Sequence, residues 1–389
     1  MARSYYSKAI VIYRKFQAKT NIIPVASFNI LTCIGWSAVN VIVGAQLINA
    51  VNSKVPGWAG ILVIAFVTFL VTVFGYKIVH MYERYSWIPT LIVFLIILGE
   101  FAHSGQFYNI PMGVGTSEAG SVLSFAASLF GFAGGWCPFA ADYTVYQPVN
   151  RSRISAFLWT FVGLAFPLFF TEMLGAAVMT ASFNNSDYSN AYNNQEIGGL
   201  LAAVIVPPLG KFGQFCLIIL ALSTIANNCP NSYSTSLSLQ VLASKSVRIP
   251  RFIWTVIITI VYVAIAIPGY NDFVHVLQNF LLLIAYWLAI YEGISLSEHF
   301  VYKRGLGNYH PEHYLDRNKL PPGIAAVIAF CFGIMGAVLG MSQTWFTGPI
   351  AILCGAPPFG GDVGFELAFA FSAISYCVMR YFEKKYFGR

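Results

Sequence analysis

The chain has 389 residues, 57% of them hydrophobic and only 10% charged, with a net charge of +7 and a mean hydropathy of +0.67. Soluble domains carry about 25% charged residues, so this composition excludes a soluble enzyme or nucleic-acid-binding domain and indicates a polytopic membrane protein. The basic residues sit in short loops between apolar runs, which makes the positive charge a topology signal.

Residues 1–21 carry Arg3, Lys8, Arg14, Lys15 and Lys19 around an apolar core too short for a signal peptide. They read as a basic cytoplasmic segment. A spanning helix needs about 20 mostly apolar residues. Ten segments qualify, at 23–50, 56–79, 87–102, 119–146, 155–182, 212–242, 250–268, 273–302, 321–344 and 362–382. With the N-terminus inside, 20 of the 22 lysines and arginines fall on the inner side, and only Lys54 and Lys211 fall outside. Both termini are therefore expected in the cytoplasm. The segment 22–302 reads as a core of eight spans, 303–320 as a polar cytoplasmic loop, and 321–389 as two further spans with a short basic tail. The longest outer loop, 182–199, is rich in asparagine and holds a sequon at Asn184. After it, residues 200–209 are apolar but too short to span, and they read as an interfacial or re-entrant helix interrupted by Pro207 and Pro208.

The seven cysteines are scattered through apolar runs without a C-x-x-C pair or a zinc spacing, so no metal or cofactor is expected. Phosphate-binding loops, nucleophile elbows and H-E-x-x-H motifs are absent too. The chain does not read as an enzyme.

Polar residues inside apolar spans carry the functional signal. In the first span, Trp36, Asn40 and Gly44 share one helix face by their i, i+4, i+8 spacing. An aromatic plate, an amide and a gap suit a planar polar ring; core packing and an interhelical amide bond are the plain rival. The fourth span is broken by Gly131-Phe-Ala-Gly-Gly-Trp-Cys-Pro138. Backbone freed at such a depth is tolerated where it is buried in protein or lines a cavity, and such breaks build the central sites of transporters. Trp136 stands at that break. Asp142 follows in the inner half, where an acid is functional by default unless a neighbouring lysine or arginine pairs with it. In the sixth span, Ser223, Asn227 and Asn231 form one ridge and Thr224, Asn228 and Ser232 the next, with Pro230 freeing the carbonyl of Ala226. So many amides exceed what helix packing needs. Ser223 and Thr224 also offer oxygens for sodium. Among the acids, Glu83, Glu100, Glu172, Glu292 and Glu298 are all candidate proton carriers or partners in ion pairs.

These residues fall into a known pattern. Gly35-Trp-Ser-Ala-Val-Asn-Val-Ile-Val-Gly-Ala-Gln46, Phe74-Gly-Tyr-Lys77, Phe132-Ala-Gly-Gly-Trp-Cys-Pro-Phe-Ala-Ala-Asp-Tyr-Thr-Val-Tyr146, Gly163-Leu-Ala-Phe-Pro167 and Leu222-Ser-Thr-Ile-Ala-Asn-Asn228 resemble the fungal purine-cytosine permeases of the nucleobase–cation symporter family. The resemblance runs from about residue 22 to the C-terminus. It implies an all-α, leucine-transporter-like fold of two inverted repeats plus two extra helices. It also implies proton-coupled uptake of cytosine, adenine, guanine or hypoxanthine at the plasma membrane. By position, it assigns Trp36, Asn40, Trp136, Asn227, Asn228 and Asn231 to the substrate site and Glu83 to transport at the inner end of a helix. The partners implied are the base, protons and the bilayer, with no nucleic acid; a homo-oligomer is compatible. The likeness begins at the family's third span, so ten of twelve spans and an incomplete first repeat are expected. A second reading is a shortened, non-transporting product retained in the endoplasmic reticulum, or an incomplete gene model.

Overall fold

The computed structural model describes residues 22–74, 76–140, 148, 151–242, 246–305, 308 and 321–388. Asp142 lies outside these residues. The chain is built from long helices: α1 (Ile22–Val51), α2 (Gly57–Val73), α3 (Tyr76–Ser104), α4 (Thr116–Gly134), α5 (Arg153–Thr180), α6 (Ser186–Leu209), α7 (Lys211–Leu242), α8 (Arg251–Gly269), α9 (Phe273–Ser297), α10 (Ile324–Gly340) and α12 (Gly364–Phe387). A short hairpin, β1 (Ser342–Gln343) and β2 (Phe346–Thr347), and one turn of helix, α11 (Pro349–Leu353), join α10 to α12.

Ten of these helices match the ten apolar segments of the sequence, and the architecture is that of an all-α polytopic membrane protein. Among the described residues, five helical stretches are long and apolar enough to cross a bilayer; one, 251–303, is α8 and α9 end to end. Helices α2 and α10 are apolar but only 17 residues long. Prolines inside α3, α5, α7 and α8 are tolerated because neighbouring helices and hydroxyl side chains can satisfy the backbone groups they free.

Two segments expected as loops are helical. The residues around Glu83, which fall between the expected spans 56–79 and 87–102, belong to the first turns of α3, which starts at Tyr76. The outer segment 182–199 is helical from Ser186, where Asn185 caps α6 by accepting the Asp187 N–H at 2.8 Å. Polarity was the reason for expecting loops. Here it marks helices that extend beyond the apolar layer.

The core falls into two groups. In the larger, α1 packs against α7, α2, α6 and α8, with α3 laid on α7 and α6. In the smaller, α9 packs against α4, α12 and α10. One glycine sets the approach of the two groups, and another the approach of α4 to α9 within the smaller one. A Cβ on Gly35 of α1 would meet the Phe280 ring of α9 at 2.0 Å, and one on Gly131 of α4 would meet the Leu281 carbonyl at 2.1 Å. The Trp287 indole N–H donates to Thr32 Oγ1 at 2.8 Å, pinning α9 to α1.

Helix α6 bends where Gln195 and Glu196 leave helical geometry, and Glu196 has φ 53° and ψ −139°. That conformation suits glycine and costs another residue about 1–3 kcal/mol. Burial, and then the neighbouring Asp272 carboxylate, raise the Glu196 carboxyl above the usual glutamate range. A raised folded-state pKa favours the neutral acid. Its stabilising contribution is complete below the ordinary glutamate pKa and is lost as pH rises through the raised value. The contribution of Glu196 to thermal stability should therefore be smaller at a pH above the ordinary glutamate range than at one below it. Glu196→Gly should remove this loss and raise the melting temperature at the higher pH. Thermal unfolding of the purified protein at the two pH values checks both expectations.

Candidate substrate site at the helix break

Helix α4 ends at Gly134, and a single 3-10 turn, Cys137–Phe139, follows with Pro138 in its first positions. The break falls where glycines remove side-chain restraint and Pro138 removes a backbone donor. Beside it lies a small cleft, partly open to solvent, lined by Trp36, Phe132, Gly135, Trp136, Asn227 and Asn231.

Helix α1 supplies Trp36. Its ring lies edge-on to Phe132, with centroids 5.3 Å apart, and edge-on to Phe280 at 5.6 Å. Gly135 lies beside the indole, where a Cβ would be 3.4 Å from Trp36 Nε1, an ordinary contact. Trp136, at the start of the turn, also lines the cleft. Helix α7 supplies the amides. Asn227 Nδ2 donates to Asn40 Oδ1 at 2.8 Å, and Asn231 Nδ2 donates to the Asn227 carbonyl at 3.2 Å. Asn40 is buried, and among the described residues its own Nδ2 has no partner; a buried donor left unpaired costs about 1–3 kcal/mol. Two indoles and a phenyl ring beside amide groups suit a flat heteroaromatic ring with donors and acceptors on its edge.

The cleft lining holds Trp36, Trp136, Asn227 and Asn231, with Asn40 joined to it through Asn227, while Asn228 and Glu83 lie apart from it. Asn228 faces away from the cleft. It is fully buried, with Nδ2 turned to Thr68 Oγ1 of α2 at 3.5 Å. Adjacent residues on a helix point about 100° apart, so Asn227 and Asn228 cannot both face the same cleft. Gly44 leaves no gap for a ligand, because Thr224 Oγ1 and Ile64 Cγ1 lie 2.7 and 2.9 Å from where its Cβ would be. It is a helix-packing glycine. The hydroxyls of Ser223 and Thr224 donate back to the Leu220 and Ala221 carbonyls of their own helix. Glu83 lies on α3, away from the cleft lining and electrostatically coupled to Cys229 of α7. The neighbouring Tyr82 hydroxyl ties α3 to α7 through the Leu222 carbonyl at 2.9 Å.

Sequence reasoning missed Phe132, Phe280 and Gly135. Phe132 stands one helical turn before Trp136, a spacing that could have indicated it. Phe280 is one of 33 phenylalanines, and nothing in its neighbourhood distinguishes it.

A helical membrane protein whose internal cleft lies at a helix break has the architecture of a solute carrier. Residues 13–355 match the family described as permease for cytosine/purines, uracil, thiamine, allantoin. Purine-cytosine permease fcyB of Emericella nidulans is 60% identical over 94% of this chain and 71% of its own length. Purine-cytosine permease FCY2 of Saccharomyces cerevisiae is 45% identical over 93% of this chain and 68% of its own. The chain belongs to the cytosine/purine permease family. Its members are transporters, not enzymes.

Proposed function

We propose that the chain carries cytosine and the purine bases adenine, guanine and hypoxanthine across the plasma membrane, driven by protons. The observation that carries this reading is the cleft, with Trp36 and Trp136 on its walls and the Asn227–Asn40 amide pair at its edge. A base would stack against the indoles while Asn227, Asn231 and the unpaired Asn40 N–H read its edge. Asn228 is given a packing role. The names of the relatives, both purine-cytosine permeases, point to the same substrate class. In this reading the helices belong to a leucine-transporter-like scaffold, the termini face the cytoplasm, and Glu83 takes part in transport at the inner end of α3. Asp142 is proposed to contribute to proton coupling from the segment after the break.

Uptake of labelled cytosine tests the reading, in cells that lack their own cytosine uptake and express the chain at the surface. Uptake should saturate, rise as the outer pH falls, and be competed by adenine, guanine and hypoxanthine. Surface protein with no saturable uptake would contradict it and favour the non-transporting alternative.

A further inference from the structure

We propose that Glu292 of α9, paired with the Cys137 thiol, is the proton site that governs the broken segment carrying Trp136. This inference rests on the transport reading above and names the group through which it is coupled to protons. Two acids lie close together in the second half of α9 and its π-helical continuation, Glu298–Lys303. Their surroundings differ. Glu298 is committed to a cation and a phenol, with Arg380 Nε at 3.3 Å and the Tyr376 hydroxyl at 3.0 Å from Oε2. Glu292 pairs with no cation among the described residues. Its titratable neighbour is the Cys137 thiol, on the turn that follows α4. The last turn of α4 passes directly over it, since a Cβ on Gly134 would lie 3.5 Å from Glu292 Oε1. The carboxylate thus meets the break immediately beside Trp136, from behind the cleft wall.

An acid with no fixed counter-charge changes its net charge when a proton arrives. As a carboxylate it accepts the Cys137 S–H in a charge-assisted bond that holds the turn 135–139 against α9. Protonated, it loses that charge and becomes a donor itself, so the hold on the turn changes. The step is proton binding on one side of the membrane and release of the same proton on the other. A base stacked on Trp136 and a proton on Glu292 then act on one turn, and each alters the affinity for the other by the same factor.

The groups around Glu292 leave it as the titrating member. Of the helices packed on α9, the described parts of α1 and α10 contain no acidic or basic residue and no histidine. Cys33 of α1 lies beside Asn29, and Cys331 of α10 is exposed. From α12, Ser372 faces Gly293, Arg380 is held by Glu298 and Glu383, and Glu366 lies near Asp362 at the start of that helix. From α4, the titratable group is Glu118, in the far, first turn, and from the 3-10 turn that follows it is Cys137.

The test uses the purified full chain in proteoliposomes loaded with cytosine. Exchange of labelled cytosine at equal pH reports transport alone; accumulation under an inward proton gradient reports coupling. Native protein should do both. Glu292→Gln should keep exchange within about threefold while its accumulation ratio falls to about one. The opposite result, gradient-driven accumulation by Glu292→Gln at the native level, overturns the proposal. Loss of both activities in a monodisperse Glu292→Gln protein also overturns it, because Glu292 is then a structural residue. If Glu292→Gln does not fold, Glu292→Asp replaces it, and the proposal requires its uptake midpoint to move in pH; an unmoved midpoint overturns it. Native protein with no exchange at all would instead remove the transport reading, and this inference with it.

Discussion

Asn227→Ala is expected to weaken cytosine uptake by about 10- to 100-fold, or about 1.4–2.8 kcal/mol, with the protein still at the cell surface. The variant removes an amide that faces the cleft and also the donor that satisfies Asn40 Oδ1 at 2.8 Å. Sites built to hydrogen-bond a ligand edge discriminate strongly, because an unmatched buried polar group is costly. Asn228→Ala is the matched control. Its side chain turns to Thr68 of α2, so its loss should leave the Km within about threefold and lower protein yield instead. Measured Km values for the two variants, normalised to surface protein, separate a ligand-facing amide from a packing one. Equal effects on Km would remove the distinction drawn between the two faces of α7.

Arg380→Ala is expected to reduce the amount of folded protein more than any change in the cleft. Arg380 is 3% exposed and Glu383 5%. The guanidinium reaches Glu383 Oε1 at 2.8 Å and Glu298 Oε2 at 3.3 Å. The other Glu383 oxygen accepts the Ala325 N–H in the first turn of α10 at 2.8 Å. One cation thus organises two acids and the junction of α9, α10 and α12. Removing one partner of a buried ion pair costs about 3–5 kcal/mol, because a buried charge is left uncompensated. A fluorescent fusion followed by size-exclusion chromatography should show the monodisperse peak of Arg380→Ala falling several-fold, with Arg380→Lys in between. A native-sized peak for Arg380→Ala would show that these acids are not buried as described.

How much could be read from the sequence depends on how local the signal is. Helix existence was legible because a bilayer-length apolar run leaves few alternatives, and the ten expected spans each correspond to a helix. The break at residues 131–138 was legible because glycine and proline act on their own backbone. Helix ends were not. Glu83 and the asparagines of 182–199 suggested loops, yet both lie on helices that continue past the apolar layer. The cleft was legible in part. The i, i+4, i+8 spacing put Asn227 and Asn231 on one ridge, and both line the cleft; the same spacing on α1 put Trp36 with Asn40, which meets the cleft through Asn227. What spacing leaves open is the direction in which each ridge points. That depends on long-range packing: Thr68 of α2 claims Asn228 from 160 residues away, and Thr224 and Ile64 fill the space above Gly44. The Cys137–Glu292 contact is of the same kind, since nothing near either residue in the chain points to the other.

The most direct test of the account is equilibrium binding of cytosine to the purified chain by titration calorimetry, with Trp136→Ala measured alongside. Native protein should bind saturably, with at least about a fivefold loss in Trp136→Ala, since a stacking aromatic contributes about 1 kcal/mol or more. Native protein that is folded and monodisperse but binds no cytosine would contradict it, as would a Trp136→Ala variant that binds as tightly as the native chain.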